Sequence, residues 1–228
     1  MAKMPPVIAI DGPSGSGKGV ITQRIAEALG FHILDSGAIY RLIGLAARKH
    51  DVDLEDEAAL IKLAQHLDIA FKATSDAEDP LSIWLEGENV TRKIRSDEAG
   101  VDASKVAPLA GVREAIKQLQ RSFRRAPGLV ADGRDMGTVV FTDADVKIFL
   151  TASAEARAQR RYKQLIDKDI NVSLHALFTS IQERDERDMT RAVAPLIPAS
   201  DAVIIDSTSL NIDEVFNQVM TIVRGKLD

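Results

Sequence analysis

Residues 7–19 read Val7-Ile8-Ala9-Ile10-Asp11-Gly12-Pro13-Ser14-Gly15-Ser16-Gly17-Lys18-Gly19 and restrict the possible folds more than any other stretch of the chain. An apolar run suited to a strand passes into Gly-x-x-x-x-Gly-Lys, and helical spacing follows in Val20-Ile21-Thr22-Gln23-Arg24-Ile25-Ala26-Glu27-Ala28-Leu29. Strand, glycine loop and helix in that order turn backbone amides and the positive end of a helix toward a polyphosphate. Lys18 then adds a point charge at the terminal phosphates. The competing reading is a tight turn with no ligand, but the three glycines in residues 12–17 followed by Lys exceed what one turn requires. An ATP or GTP site is expected, built from Gly12, Pro13, Ser14, Gly15, Ser16, Gly17, Lys18, Gly19 and Val20. Position 19 is Gly where Ser or Thr usually touches Mg²⁺, so a metal here needs another anchor. That argues against a switch GTPase, and no Asn-Lys-x-Asp guanine-reading sequence occurs.

A chain of 228 residues can bury a full core, as one domain with subdomains or as two small domains. Its 45% hydrophobic and 28% charged residues are ordinary for a soluble globular protein. With a formal charge of −5, bulk electrostatics repel a nucleic-acid backbone, so any anionic ligand must be held locally. Cysteine is absent, which excludes disulfides and thiolate zinc sites, and His32, His50, His66 and His175 lack metal-ligand spacing. They read as satisfied or solvated histidines. No apolar run approaches the length of a membrane span or a signal segment, and a cytoplasmic location is expected.

Along the chain, Gly30 resembles a helix C-cap, and His32-Ile33-Leu34 a short strand leading to Asp35-Ser36. Helical spacing resumes in residues 38–47, so Asp35 or Ser36 is suited to cap a helix start. A hydroxyl there with Arg41 a turn later also suits a second phosphate; the alternative is a cap and a surface arginine. Residues 55–67 form an amphipathic helix with Leu60, Leu63 and Leu67 on one side. The period then changes to two in residues 68–73, 81–85 and 88–90, a small antiparallel meander inserted between βα units, with residues 74–80 as a solvated loop. A basic helix is expected from Pro108 to Arg125, its charges read as solvated.

Residues 129–135 give a further apolar run ending in Asp132-Gly133-Arg134-Asp135. At the end of a strand beside a phosphate loop, Asp132 can hold Mg²⁺ directly or through water; a turn-forming Asp-Gly is the alternative. After the strand at 146–150, Ser153-Ala154-Glu155-Ala156-Arg157 signals a helix start, and Arg157, Arg160, Arg161 and Lys163 suit an arginine-bearing lid over the transferring group. Residues 167–171 read as a mobile turn. In the helix expected from Leu174 to Met189, Arg184, Asp188 and Arg191 lie at i, i+4 and i+7, one stripe if the helix continues that far. A last strand and helix follow at 201–208 and 212–223.

Four blocks in this order resemble the bacterial cytidylate kinases, which are P-loop nucleoside monophosphate kinases. They are Ile10 to Gly19; Leu34-Asp35-Ser36-Gly37-Ala38-Ile39-Tyr40-Arg41; Asp132-Gly133-Arg134-Asp135-Met136-Gly137-Thr138-Val139-Val140-Phe141; and Arg184-Asp185-Glu186-Arg187-Asp188 leading to Arg191-Ala192-Val193-Ala194-Pro195. The resemblance implies transfer of the γ-phosphoryl of ATP to CMP or dCMP, with Mg²⁺. It implies that Ser36, Arg41, Arg134 and Arg191 hold the acceptor phosphate, that Ser104, Arg113 and Asp135 read cytosine, and that Arg184 and Asp188 bind the sugar. Lys18, Arg157 and Arg161 would serve ATP and the transferring group, giving Lys18, Arg134, Arg157, Arg161 and Arg191 as the catalytic set. Ser36 stands where many members have Thr and keeps the hydroxyl; Ser16 stands where Ala is more frequent.

The expected fold is α/β: a three-layer P-loop fold with a central parallel sheet flanked by helices, an inserted antiparallel monophosphate-binding subdomain and a short helical lid. The core is assigned to residues 1–35, 96–152 and 172–228, the inserted region to 36–95 and the lid to 153–171. ATP and CMP or dCMP are the expected partners, with no nucleic-acid polymer and no membrane, and the chain is expected as a monomer. The rival readings are a P-loop kinase of another small acceptor (UMP, AMP or shikimate) and a non-catalytic nucleotide-binding switch.

Overall fold

Val7, Ile8, Ala9 and Ile10 are wholly buried, as the middle strand of a parallel sheet covered on both faces must be. They form β1 (Val7–Asp11) of a computed structural model that describes residues 4–73, 81–167 and 169–227. The loop expected at 74–80 and position 168 of the expected 167–171 turn lie outside the described residues.

The elements that follow are α1 (Lys18–Leu29), β2 (His32–Asp35), α2 (Ser36–Lys49), α3 (Glu57–Gln65), β3 (Ile69–Ala73), β4 (Leu81–Leu85) and β5 (Glu88–Asn89). Then come α4 (Asp97–Val106), α5 (Ala110–Ser122), β6 (Leu129–Gly133), β7 (Val146–Thr151), α6 (Ala154–Ile166), α7 (Leu174–Thr190), β8 (Val203–Asp206) and α8 (Ile212–Leu227). The contacts divide them into two compact units, Met1–Asp35 with Gln120–Asp228, and Ser36–Leu119.

In the first unit five parallel strands run in the order β2-β6-β1-β7-β8. Ile8, Ile10, Val130, Ile148 and Leu150 pack with Ile21 and Ile25 of α1 and with Val215, Val219 and Val223 of α8. Each such side chain contributes about 1.5–3 kcal/mol by leaving water. Register matters more for the site. Ile10 pairs with Asp132 and Asp35 with Asp132, so the carboxylates of Asp35 and Asp132 stand on adjacent strands at the carboxyl edge, where α/β sheets bind ligands. Gly12 leaves β1 at φ 150°, and a Cβ there would lie 2.0 Å from the Leu150 carbonyl oxygen. Only glycine lets the loop start that close to β7.

In the second unit, β3, β4 and β5 form the antiparallel meander that the period of two predicts. Ile83, Leu85, Val90 and Ile94 pack against Ala38, Leu42 and Ala46 of α2. The helices α4 and most of α5 belong to this unit, not to the P-loop core to which residues 96–119 were assigned from sequence. The physical reason is specific packing against α2. A Cβ on Gly44 would lie 2.7 Å from Asp102 Cβ, and Arg48 Nε and Nη2 donate to the two carboxylate oxygens of Asp102 at 2.5 and 3.0 Å.

The basic helix is shorter than the 108–125 expected. Pro108 lies in the turn before α5, which the Leu109 amide closes on the Val106 carbonyl at 3.1 Å. At the other end Arg124 Nε donates to Pro5 O at 2.7 Å, drawing the chain off the helix. Its charges are also less solvated than expected. Arg113 is buried, and Arg121 Nε donates to Val140 O at 3.0 Å.

Candidate active site

The phosphate loop is held by its carbonyls. Lys18 Nζ donates to Pro13 O at 2.8 Å, Arg157 Nη1 to Ser14 O at 3.1 Å, and Ser207 Oγ to Ser16 O at 3.3 Å. A peptide N–H points opposite the preceding C=O, so fixing the Ser14 and Ser16 oxygens turns the Gly15 and Gly17 amides the other way. Gly17 caps α1 at φ 95° with no side-chain cap bond, leaving the helix start to a ligand. Ser16 Oγ is buried and has no hydrogen-bond partner among the described residues.

Charge converges on Lys18. Burial holds its amine below the usual lysine range; the nearby guanidinium of Arg134 acts in the same direction, as does that of Arg184, while Asp132 and Asp11 oppose them. Burial likewise holds the Asp132 carboxyl above its usual range, against the attraction of Lys18, and Asp35 pushes it further up. Cations and carboxylates packed this way, short of water, can accept ionic ligands: an anion beside Lys18 and a cation beside Asp132. Asp132 Oδ2 lies 3.7 Å from the point a Cβ on Gly19 would occupy, so the carboxylate sits beside the position that lacks a hydroxyl. Among the described residues no group of three or more His, Asp or Glu is arranged to hold a metal. One or two carboxylates still fit Mg²⁺, which keeps waters and takes its other ligands from substrate phosphates.

After β6, Arg134 Nε donates to Asp188 Oδ2 on α7 at 2.9 Å. Asp135, 3% exposed, caps a five-residue π-helical turn, Met136–Val140, but its side chain makes no cap bond. The carboxylate of Asp11 takes the amides instead, Met136 N–H to Oδ1 and Gly137 N–H to Oδ2, both at 2.8 Å. Burial pushes the Asp11 carboxyl up to about 6, against the pull of those two amides.

The expected lid arginines behave differently from one another. Arg157, 3% exposed, donates through Nε to Ala152 O at 2.9 Å and through Nη1 and Nη2 to the two oxygens of Asp185, besides its bond to Ser14. It is an internal brace of the phosphate loop rather than an arm in solvent. Arg160 donates to the Ser207 hydroxyl at 3.2 Å and to the Ser207 carbonyl, and Arg161 is half-buried on the same helix. The stripe of Arg184, Asp188 and Arg191 is interrupted, because α7 ends at Thr190 and Arg191 turns off at ψ 139°. Arg191 Nε instead donates to Ala194 O at 2.5 Å.

In the second unit, Ser36 begins α2 and is buried. Arg41 Nη1 donates to Ile94 O at 2.7 Å, and a Cβ on Gly100 would lie 3.8 Å from Arg41 Nη2. Ser104 Oγ donates to Gly100 O at 2.9 Å. Arg113 Nη1 reaches the Tyr40 hydroxyl at 3.0 Å and Ala107 O at 3.1 Å, its guanidinium 5.9 Å from the Tyr40 ring centre. Ser36, Arg41, Ser104 and Arg113 thus share the α2, α4 and α5 side of this unit. In the first unit Lys18, Asp132, Arg134, Arg184 and Asp188 gather at the carboxyl edge of the sheet.

Sequence reasoning gave no role to Asp11, Asp185, Ser207 and Tyr40. Asp11 lay within the phosphate motif but read as a strand end; Asp185 lay in a mixed-charge run that reads as solvated. Neither carries a spacing signal, since its partners are distant in the chain.

Residues 8–225 match the protein family described as cytidylate kinase. The "Cytidylate kinase" of Aeromonas salmonicida is 57% identical over 100% of this chain and 97% of its own length. That of Aeromonas hydrophila is 58% identical over the same shares, and that of Aliivibrio salmonicida 58% identical over 97% of this chain and 98% of its own. A crystal structure of TT1252 from Thermus thermophilus, 17% identical, matches with a TM-score of 0.47 over 99% of this chain and 100% of that one. The phosphate loop, the Asp132 to Phe141 block and the arginine-rich end of α7 lie inside a match that spans nearly the entire sequence, and the chain belongs to the cytidylate kinase family.

Proposed function

We propose that the protein transfers the γ-phosphoryl group of ATP to CMP or dCMP, producing ADP and the nucleoside diphosphate. The observation that carries this reading is the convergence on Lys18. A phosphate-loop lysine whose charge is disfavoured by burial and by the nearby Arg134 and Arg184 is relieved when anionic substrates are bound.

The loop from Gly12 to Val20 is assigned to the triphosphate, and Lys18 to the β- and γ-phosphates. Ser36, Arg41, Arg134 and Arg191 are assigned to the acceptor phosphate, and Arg184 and Asp188 to the sugar. Ser104, Arg113 and Asp135 are assigned to the base. Cytosine presents an exocyclic amine as donor beside N3 and O2 acceptors, which a carboxylate and an arginine match. Uracil would set a carbonyl against Asp135, a mismatch that costs about 1–3 kcal/mol when buried. Arg157 braces the loop from behind through Ser14, and Arg161 is assigned to the transferring group. Mg²⁺, held through Asp132, would neutralise phosphate charge.

In the reaction an ionised oxygen of the acceptor phosphate forms a bond to the γ-phosphorus while the bond to the β–γ bridging oxygen breaks, and ADP leaves with that electron pair. The attacking oxygen is already ionised near neutral pH and needs no strong base. The transition state is loose, with charge on the equatorial oxygens, so positioning and cations supply most of the acceleration. Forked arginines hold phosphates directionally, which a lysine does not.

An ADP-release assay against CMP, dCMP, UMP and AMP tests this. CMP or dCMP should give the highest kcat/KM, and Lys18→Ala should lower kcat by at least about a hundredfold with every acceptor, the scale of losing one charge-stabilising donor. Equal turnover with UMP or AMP would favour a kinase of another acceptor. ATP binding without acceptor-dependent turnover would favour a switch.

A further inference from the structure

Asp11 is a buried, ionisable group for which the reaction above has no use. It ends β1 in register with Gly133 of β6, one residue before the phosphate loop, and is 5% exposed. Its two oxygens take the Met136 and Gly137 amides, the first two donors of the turn that Asp135 caps. An aspartate at a cap position ordinarily bends its own carboxylate onto the amide two or three residues later, which here belongs to Gly137 or Thr138. The Gly137 amide is already taken, and Asp135 makes no such bond.

The approach is close. A Cβ on Gly137 would lie 3.4 Å from Asp11 Oδ2 and 3.2 Å from the Lys147 stem, so a side chain at 137 would crowd the carboxylate that its amide meets at 2.8 Å. The charges of Asp11 and Asp135 also repel, while Lys18 attracts Asp11. Hydrogen bonding and charge both oppose a return of the Asp135 carboxylate to its own turn.

We propose that Asp11 is a positioning residue for base selection: by capping the Met136–Val140 turn from the neighbouring strand, it directs the Asp135 carboxylate away from that turn and toward the base. This rests on the reading of Asp135 as a base-selecting group. It also places the device that orients the base reader on the strand that delivers the phosphate loop.

The test uses Asp11→Asn, which keeps the size but leaves one amide facing an NH₂ group, and Asp11→Ala, which leaves both amides without an acceptor. Steady-state constants for CMP, UMP and ATP are measured on variants that retain a cooperative melt. The expected result is a fall of about tenfold or more in the CMP-over-UMP ratio of kcat/KM, with KM for ATP changed less than about threefold. In an Asp135→Ala background, Asp11→Asn should lower the ratio no further. A ratio within about twofold of the parent in Asp11→Asn, with Asp135→Ala lowering it, overturns this inference alone. Equal increases in KM for ATP and CMP with the ratio kept mark a merely structural role and overturn it too. If Asp135→Ala itself keeps the ratio, the base-reading assignment fails, and this inference with it.

Discussion

Asp11 carries a measurable pH signature. Burial raises its carboxyl from 3.8 to about 6 in the folded protein. A carboxyl with a raised folded pKa contributes stability that is present below its unfolded pKa and lost as pH rises through the folded value. The window is therefore about pH 4 to 6, and the loss is about 3 kcal/mol if each unit is worth about 1.4 kcal/mol. Asp11→Asn does not titrate, and other groups cancel between the two proteins. Urea unfolding at pH 4.5 and 7 should show the stability of wild type relative to Asp11→Asn falling with pH; a constant difference would refute the assignment. The residue scale is also where the sequence was most and least informative. Lys18 and Asp132 were singled out from short motifs whose residue types follow from phosphate chemistry and Arg134 only from the family resemblance, and the structure brings the three together. Asp11 and Asp185 were not legible, because a carboxylate that serves distant backbone amides or a distant arginine leaves no local pattern.

Between elements, the brace from α6 and α7 to the phosphate loop bears most directly on ATP. Arg157 and Asp185 have side-chain exposures of 4% and 14%, so removing one partner leaves a charge largely cut off from water. Asp185→Ala should cost about 3–5 kcal/mol of stability, whereas replacing both with apolar residues of similar volume should recover most of it. KM for ATP should stay raised severalfold in both variants, because Ser14 O has lost its oriented donor. Unfolding in urea with steady-state kinetics decides the matter, and an unchanged KM for ATP in a folded Asp185→Ala protein would show that the brace does not shape the loop. Elements themselves were read well where periodicity was strong, as in α1, α3, α7 and the β3-β4-β5 meander. The reading erred at ends, where tertiary bonds decide. Pro108 fell outside α5, and Arg191 left α7 to bond Ala194, breaking the predicted stripe.

At the scale of the whole molecule, the parallel order β2-β6-β1-β7-β8 agrees with the expected α/β architecture, and the antiparallel insertion is present. The contacts group residues 96–119 with α2 rather than with the core to which the sequence reading assigned them, because helical periodicity tells which face is buried and not against what. Among the described residues no helix is long and apolar enough to cross a membrane. Ligand linkage offers a test independent of turnover. CMP at a hundred times its dissociation constant should add about 2.7 kcal/mol, raising the melting temperature by roughly 5–11 °C for a chain of this size. Scanning calorimetry with CMP and UMP at one concentration checks this; equal shifts would argue against a cytosine-selective site.

The Lys18 ammonium, 2.8 Å from the Pro13 carbonyl, is tethered to the loop it serves. Its long side chain has therefore surrendered much of its torsional freedom during folding, before any nucleotide arrives. If Lys18 meets the triphosphate as proposed, recognition becomes a swap of one oxygen for another by a cation already in place, and little of the binding free energy is lost to immobilising it.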